Sequence, residues 1–254
     1  VGPSPAWRSG GLRNDMWQEV TVGDGFDVLP DPEDATWGYA MSQGGAVVRY
    51  NRLTGESWTI RPLHPDGVKL RFNWNAAIAQ DPFDAATIYY GSQFVHRSTD
   101  RGSNWTIISP DLTTDDPEKQ KQDESGGLTL DATGAENFTT IVAIAPSPVE
   151  RGVIWVGTDD GHVQVTRDGG GSWENVVARI PWVPEGTWVP QIRASRYAAG
   201  EAYVVFEDHR RNNWEPYVYR TKDYGRTWTR MADADDVWGY ALAIDQDPIE
   251  PRLF

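Results

Sequence analysis

One eight-residue pattern recurs along this 254-residue chain and limits its fold more than any other feature. It reads Ser98-Thr-Asp100-Arg-Gly102-Ser-Asn-Trp105, then Thr166-Arg-Asp168-Gly-Gly170-Gly-Ser-Trp173, then Thr221-Lys-Asp223-Tyr-Gly225-Arg-Thr-Trp228. Each copy places a hydroxyl two residues before the Asp, a Gly two after it and a Trp five after it. A looser copy, Tyr50-Asn51-Arg-Leu-Thr-Gly55-Glu-Ser-Trp58, has a longer turn and Asn in place of Asp. Spaced self-similarity of this kind marks a chain built from repeated units.

The residues before each copy repeat as well. Ile141–Pro146, Val153–Gly157 and His162–Thr166 precede the second full copy, and Ala76–Gln80, Thr87–Gly91 and Phe94–Arg97 precede the first. Such runs of about five β-branched and aromatic residues, closed by Pro, Asp or Gly, read as strands. With the strand after each box (106–108; 174–177), every unit holds four short antiparallel strands. The Trp-to-Trp intervals are 47, 68 and 55 residues, and the longest contains an acidic stretch, 110–138, read as an inserted loop. Four-stranded units of this length predict an all-β fold, a β-propeller. The blades are expected at about 26–61, 74–109, 139–178 and 190–231. A further blade is expected to begin at 238–254, so the chain reads as an incomplete portion of a larger propeller.

Composition supports this reading. Thirteen Trp, 10 Tyr and 7 Phe beside 25 Gly and 17 Pro suit short strands and tight turns. A net charge of −14 argues against a nucleic-acid partner, which needs clustered Lys and Arg. With no Cys there is no disulfide scaffold and no thiol chemistry. No run approaches a membrane span. The four His (His64, His96, His162, His209) have no paired metal-ligand spacing, so no metal and no cofactor are expected.

The box residues have a structural purpose. A buried or half-buried Asp carboxylate can fix a tight turn by accepting backbone N–H groups. The Gly (Gly102, Gly170, Gly225) permits positive φ. The Trp (Trp105, Trp173, Trp228) gives an apolar plate whose N–H finds a local acceptor. A catalytic carboxylate would not recur in several units, so Asp100, Asp168 and Asp223 are read as structural.

The pattern [Ser/Thr]-x-Asp-x-Gly-x-x-Trp resembles the Asp box, or BNR repeat, of sialidases, sortilin-type propellers and certain endoglucanases. The stretch around Trp155 to Trp173 looks most like large bacterial BNR proteins labelled glycosyl hydrolase or sortilin-like. The resemblance covers about residues 22–254. It implies boxes between the third and fourth strands, on the face opposite the ligand site, in a secreted, periplasmic or cell-surface protein.

Strand alternation then assigns the opposite face. Candidate catalytic carboxylates there are Asp24, Glu136, Asp159 and Asp235, of which Asp159 lies in a turn resembling a catalytic turn of those endoglucanases. Candidate ligand-binding residues are Arg71, Asn75, Asp160, Arg193 and His209, with Trp182, Trp188 and Trp214 as aromatic plates for sugars or peptide side chains. A sialidase would need more arginines than Arg71 and Arg193. Asp111, Asp115, Asp116, Glu118, Asp123 and Glu124 read as a solvated charge run rather than a calcium loop. The expected function is binding of a glycan, a peptide or a protein partner. The alternatives are a glycoside hydrolase with two carboxylates across a cleft and a structural protomer assembling with other propeller segments.

Overall fold

A computed structural model describes residues 17–121 and 137–254. Glu136, Asp123 and Glu124 lie outside the described residues. Among the described residues, sixteen strands form four sheets, each a four-stranded antiparallel meander. The first holds β1 (Val28–Pro30), β2 (Trp37–Ser42), β3 (Ala46–Asn51) and β4 (Ser57–Thr59). The second holds β5 (Ile78–Gln80), β6 (Ile88–Gly91), β7 (Val95–Ser98) and β8 (Thr106–Ile107). The third holds β9 (Ile141–Pro146), β10 (Ile154–Thr158), β11 (Val163–Thr166) and β12 (Glu174–Asn175). The fourth holds β13 (Trp188–Ala194), β14 (Ala202–Glu207), β15 (Tyr217–Thr221) and β16 (Thr229–Ala232).

The second strand of each sheet explains the packing. Side chains alternate across a strand, so a strand buried on both faces feeds two cores. Ile88 and Tyr90 join the core between the first and second sheets, while Tyr89 between them joins the next core. Trp155 is fully buried between the third and fourth sheets, while Ile154 and Val156 face the second. The sheets therefore stack face to face as blades. Glycines set how closely they approach: a Cβ at Gly91 would lie 2.7 Å from Ile141, and one at Gly157 would lie 2.6 Å from Val189.

All three boxes fold into one hydrogen-bond pattern. The hydroxyls of Ser98, Thr166 and Thr221, each 1% exposed, donate to Oδ1 of Asp100, Asp168 and Asp223. The same hydroxyls accept the N–H groups of Gly102, Gly170 and Gly225 at 2.8–3.0 Å. Each carboxylate also accepts the backbone N–H and side chain of the residue four positions on: Asn104, Ser172 and Thr227. Asp100 and Asp168 are thus held at about 2, chiefly by Asn104 and Ser172 respectively.

Two expectations about the boxes need correction. The carboxylates of Asp100 and Asp168 lie at the exposed rim, and the small hydroxyl is the buried member. The Trp acceptor is not local either. Trp105 Nε1 donates to Ile60 O at 2.6 Å and Trp173 Nε1 to Ile108 O at 2.9 Å, both just past the last strand of the preceding blade. Trp228 differs, donating to its own Gly225 O at 3.1 Å and meeting Trp155 edge-on.

Residues 238–254 carry no strand. The N–H of Ile244 is taken by a side-chain oxygen, Gln191 Oε1, at 2.7 Å, where a ladder would need a backbone carbonyl. The segment still closes a turn, Asp247 N to Leu253 O at 2.9 Å, like Asp81 N to Thr87 O at 3.0 Å in the second blade.

Candidate functional site

Turns joining second to third strands, and the connections that lead into each first strand, lie at the end of the sheets opposite the boxes. Two groups of polar and aromatic side chains meet there, and another runs along the first strands.

The first group is built on the Thr158-Asp159-Asp160-Gly161 turn after β10. Asp159 is 1% exposed. Its Oδ1 accepts Thr140 N–H at 2.8 Å, and its Oδ2 accepts the Thr140 hydroxyl and, at 3.1 Å, Asn73 Nδ2. Burial lifts it to about 7, opposed by the Thr140 hydrogen bonds. Asp160, 2% exposed, accepts Thr114 N and Oγ1 at 2.7 Å and Thr158 Oγ1 at 2.5 Å. One dipeptide thus ties the segments leading into the second and third blades to the chain around residue 114.

Arg71 completes this junction. Its Nη2 donates to Asp111 at 2.6 Å and to Thr113 Oγ1, its Nη1 pairs with Asp115 at 3.1 Å, and its Nε donates to Thr139 O. Thr139 is fully buried at φ +56°, an uncommon backbone for a β-branched residue. Asp111 and Asp115 are therefore partners of Arg71, and the reading of them as purely solvated charge is corrected.

The second group lines a cleft of about 240 Å³ walled by the first strands and bordered by Asp27, Asn75, Gln191 and Arg193. Arg193 and Arg196 approach Asp245 at 4.0 and 3.9 Å, and both arginines are about half exposed.

The third group is aromatic. The loop after β14 is fixed by its acids: Glu207, 4% exposed, meets Arg210 and His209, and Asp208 meets Arg211 and Asn213. This presents His209 between Tyr240, stacked at 4.8 Å, and Trp214 at 6.0 Å, with Trp214 and Tyr240 5.5 Å apart. Trp214 is 53% exposed, and its N–H is held by Asn212. Trp188 is half-buried, with Arg210 4.2 Å above its ring and Phe138 against its edge. Trp182 is 77% exposed at φ +63°.

The structure brings His209, Trp214 and Trp188 into one neighbourhood, joined by Arg210. It places Asn75 and Arg193 in the cleft, and Arg71, Asp159 and Asp160 in the buried junction. Asp24 is exposed and accepts Trp74 Nε1 at 3.2 Å. Asp235 is exposed in a turn closed by Asp233. Sequence reading missed Asn73, Thr114 and Thr140 as partners of the buried turn and Tyr240 and Phe138 as aromatic members. Single residues on different segments carry no spacing signal. Among the described residues no group of three His, Asp or Glu could hold a metal, and no helix is long and apolar enough to cross a membrane.

No family model matches the chain, and no curated protein matches it in sequence. Solved structures do match. A GH74 xyloglucanase from Xanthomonas campestris aligns with TM-score 0.55 at 20% identity, over 85% of this chain and 32% of that one. An auxiliary nutrient binding protein from Bacteroides thetaiotaomicron aligns with TM-score 0.51 at 12% identity, over 89% of this chain and 44% of that one. A GH74 enzyme from Niastella koreensis gives TM-score 0.51 at 15% identity, over 83% and 30%. The fold is that of a β-propeller. This chain spans less than half the length of each of these three, and at such identities the likeness is one of fold.

Proposed function

We propose that this chain is a carbohydrate-binding part of a propeller that works outside the cytoplasm, with the face opposite the boxes as its binding face. One observation carries the reading: Trp214, Tyr240 and His209 form a ring cluster fixed from behind by buried Glu207 and Asp208, with Trp214 half open to solvent. A sugar ring stacks on such a plate through its C–H face while nearby polar groups take its hydroxyls. Trp182 adds a second plate, held in a backbone conformation that bulky residues rarely adopt. Relatives in fold named as a xyloglucanase and a nutrient binding protein make glycans the ligand class to try first.

A hydrolase would need two carboxylates with free oxygens across a cleft. Both oxygens of Asp159 are engaged and sealed from solvent, and Asp24 is an exposed carboxylate that accepts Trp74 Nε1 on one oxygen. We therefore read Asp159, Asp160 and Arg71 as the scaffold that holds the face rather than as groups that touch ligand.

Affinity electrophoresis through gels containing xyloglucan, mixed-linkage glucan or mannan tests the proposal. Wild type should be retarded by at least one polymer and Trp214→Ala should run freely. If no polymer retards wild type, or Trp214→Ala is retarded equally, the proposal fails.

A further inference from the structure

A separate cavity of about 380 Å³ opens between the Asp160-Gly161 turn and the connection that runs from β12 to β13. We propose that it binds a free α-amino acid with an apolar side chain. The inference does not rest on the glycan reading.

The lining carries both charges such a ligand needs. Lys119 lines one side and has no ion pair among the described residues; its ammonium lies over the Phe138 ring at 5.5 Å. Glu185 lines it from the turn at 184–186, and its carboxylate likewise has no ion-pair partner among the described residues. The two are close without pairing: Lys119 Nζ lies 3.7 Å from where a Cβ would stand at Gly186, the residue after Glu185. A zwitterion between them would set its carboxylate on Lys119 and its ammonium on Glu185.

Two further groups favour an ammonium at the turn. Asp160 borders the cavity with its oxygens already accepting from Thr114 and Thr158, so it contributes negative potential rather than a free ligand atom. His162 also borders it. Its Nδ1 lies 3.1 Å from Leu112 O, and because a carbonyl only accepts, Nδ1 carries the proton. In the neutral tautomer that this bond selects, Nε2 is an acceptor suited to an ammonium N–H.

The remaining wall is apolar. Val177, Ile180, Val183 and Pro184 come from the connection that closes the cavity. They suit an aliphatic or aromatic side chain and give nothing for a sugar ring to stack on. The volume falls in the range of small-molecule sites, which typically span about 300–1,000 Å³.

Titration calorimetry with L-valine, L-leucine, L-methionine and L-phenylalanine tests the inference. At least one should bind saturably. For leucine, the controls are L-leucinamide, which lacks the carboxylate, and 4-methylpentanoate, which lacks the ammonium; each should bind about tenfold more weakly. Lys119→Ala should abolish the preference for leucine over leucinamide. Glu185→Gln should abolish the preference over 4-methylpentanoate. Both residues are exposed, so the variants fold. The inference is overturned by no saturable binding of any of the four, by analogues that bind as well as leucine, or by preferences that survive both substitutions.

Discussion

The indole N–H of Trp173 reaches out of its own blade and donates to the carbonyl of Ile108 at 2.9 Å. Trp105 does the same to Ile60, so the box works as a clamp between neighbouring blades as well as a turn. Trp173→Phe keeps most of the apolar plate and loses this bond. It should cost about 1 kcal/mol in urea unfolding, and Trp173→Ala about 3 kcal/mol. Trp228→Phe breaks a bond within its own turn and keeps a ring against Trp155, so it should leave every bond between blades in place and cost less than Trp173→Phe.

Adjacent glycines in the second box separate conformation from contact. Gly169 and Gly170 both have positive φ, but a Cβ at Gly169 meets nothing within 4 Å. At Gly170 it would lie 2.4 Å from Ile108 O. Gly169→Ala should cost about 1 kcal/mol, the strain of a left-handed alanine. Gly170→Ala should cost at least about 3 kcal/mol, because backbone must move as well. Equal losses in thermal melts would contradict the clamp.

Titration gives opposing slopes. Asp159 is raised to about 7 in the fold against 3.8 for the free group, so the native state binds the extra proton between those values. Its contribution to stability rises as pH falls from 7 to 4. His96, buried beneath Phe72 and Trp105 and bonded to Ser92, is lowered by burial to about 4 from 6.5. Its contribution falls over much of the same window, and the two largely cancel. Asp159→Asn should therefore remove the gain on acidification below pH 7 and expose the His96 loss. Below about pH 4 both proteins should weaken as Asp100 and Asp168, held at about 2, take up protons. Denaturant midpoints from pH 3 to 8 check all three parts.

Arg71 pins residues 111–115 to the junction through Asp111, Thr113 and Asp115. Arg71→Met should leave the buried ladders intact and free this stretch. Trypsin should then cut at Lys119 or Lys121 several-fold faster, with global stability lowered by about 2 kcal/mol. Unchanged cleavage would show that Asp160 and Thr114 hold the segment alone.

The blades were legible because each core residue obeys a local rule. Ile88, Tyr89 and Tyr90 sit in a period-2 run, and Gly102 and Trp105 stand at fixed offsets from Asp100. The carboxylate of Asp100 was misplaced because the pattern gives residue types and not depth: Ser98, the smaller group, fits beneath the turn. The candidate face was legible in part. Trp188, His209 and Trp214 could be assigned by strand alternation. That Asp159 would be sealed by Asn73 and Thr140, 86 and 19 residues away, could not, because such contacts depend on how three blades meet. The lack of a strand over 238–254 follows from pairing, which strand propensity in one segment does not report.

Binding on the face opposite the boxes is tested most directly by comparing variants from the two ends of the blades in one assay. Intrinsic fluorescence titration with the polysaccharide that retards wild type should give unchanged affinity for Trp173→Phe and at least a tenfold loss for Trp214→Ala. Equal affinity for Trp214→Ala and wild type, or a loss confined to Trp173→Phe, would contradict it.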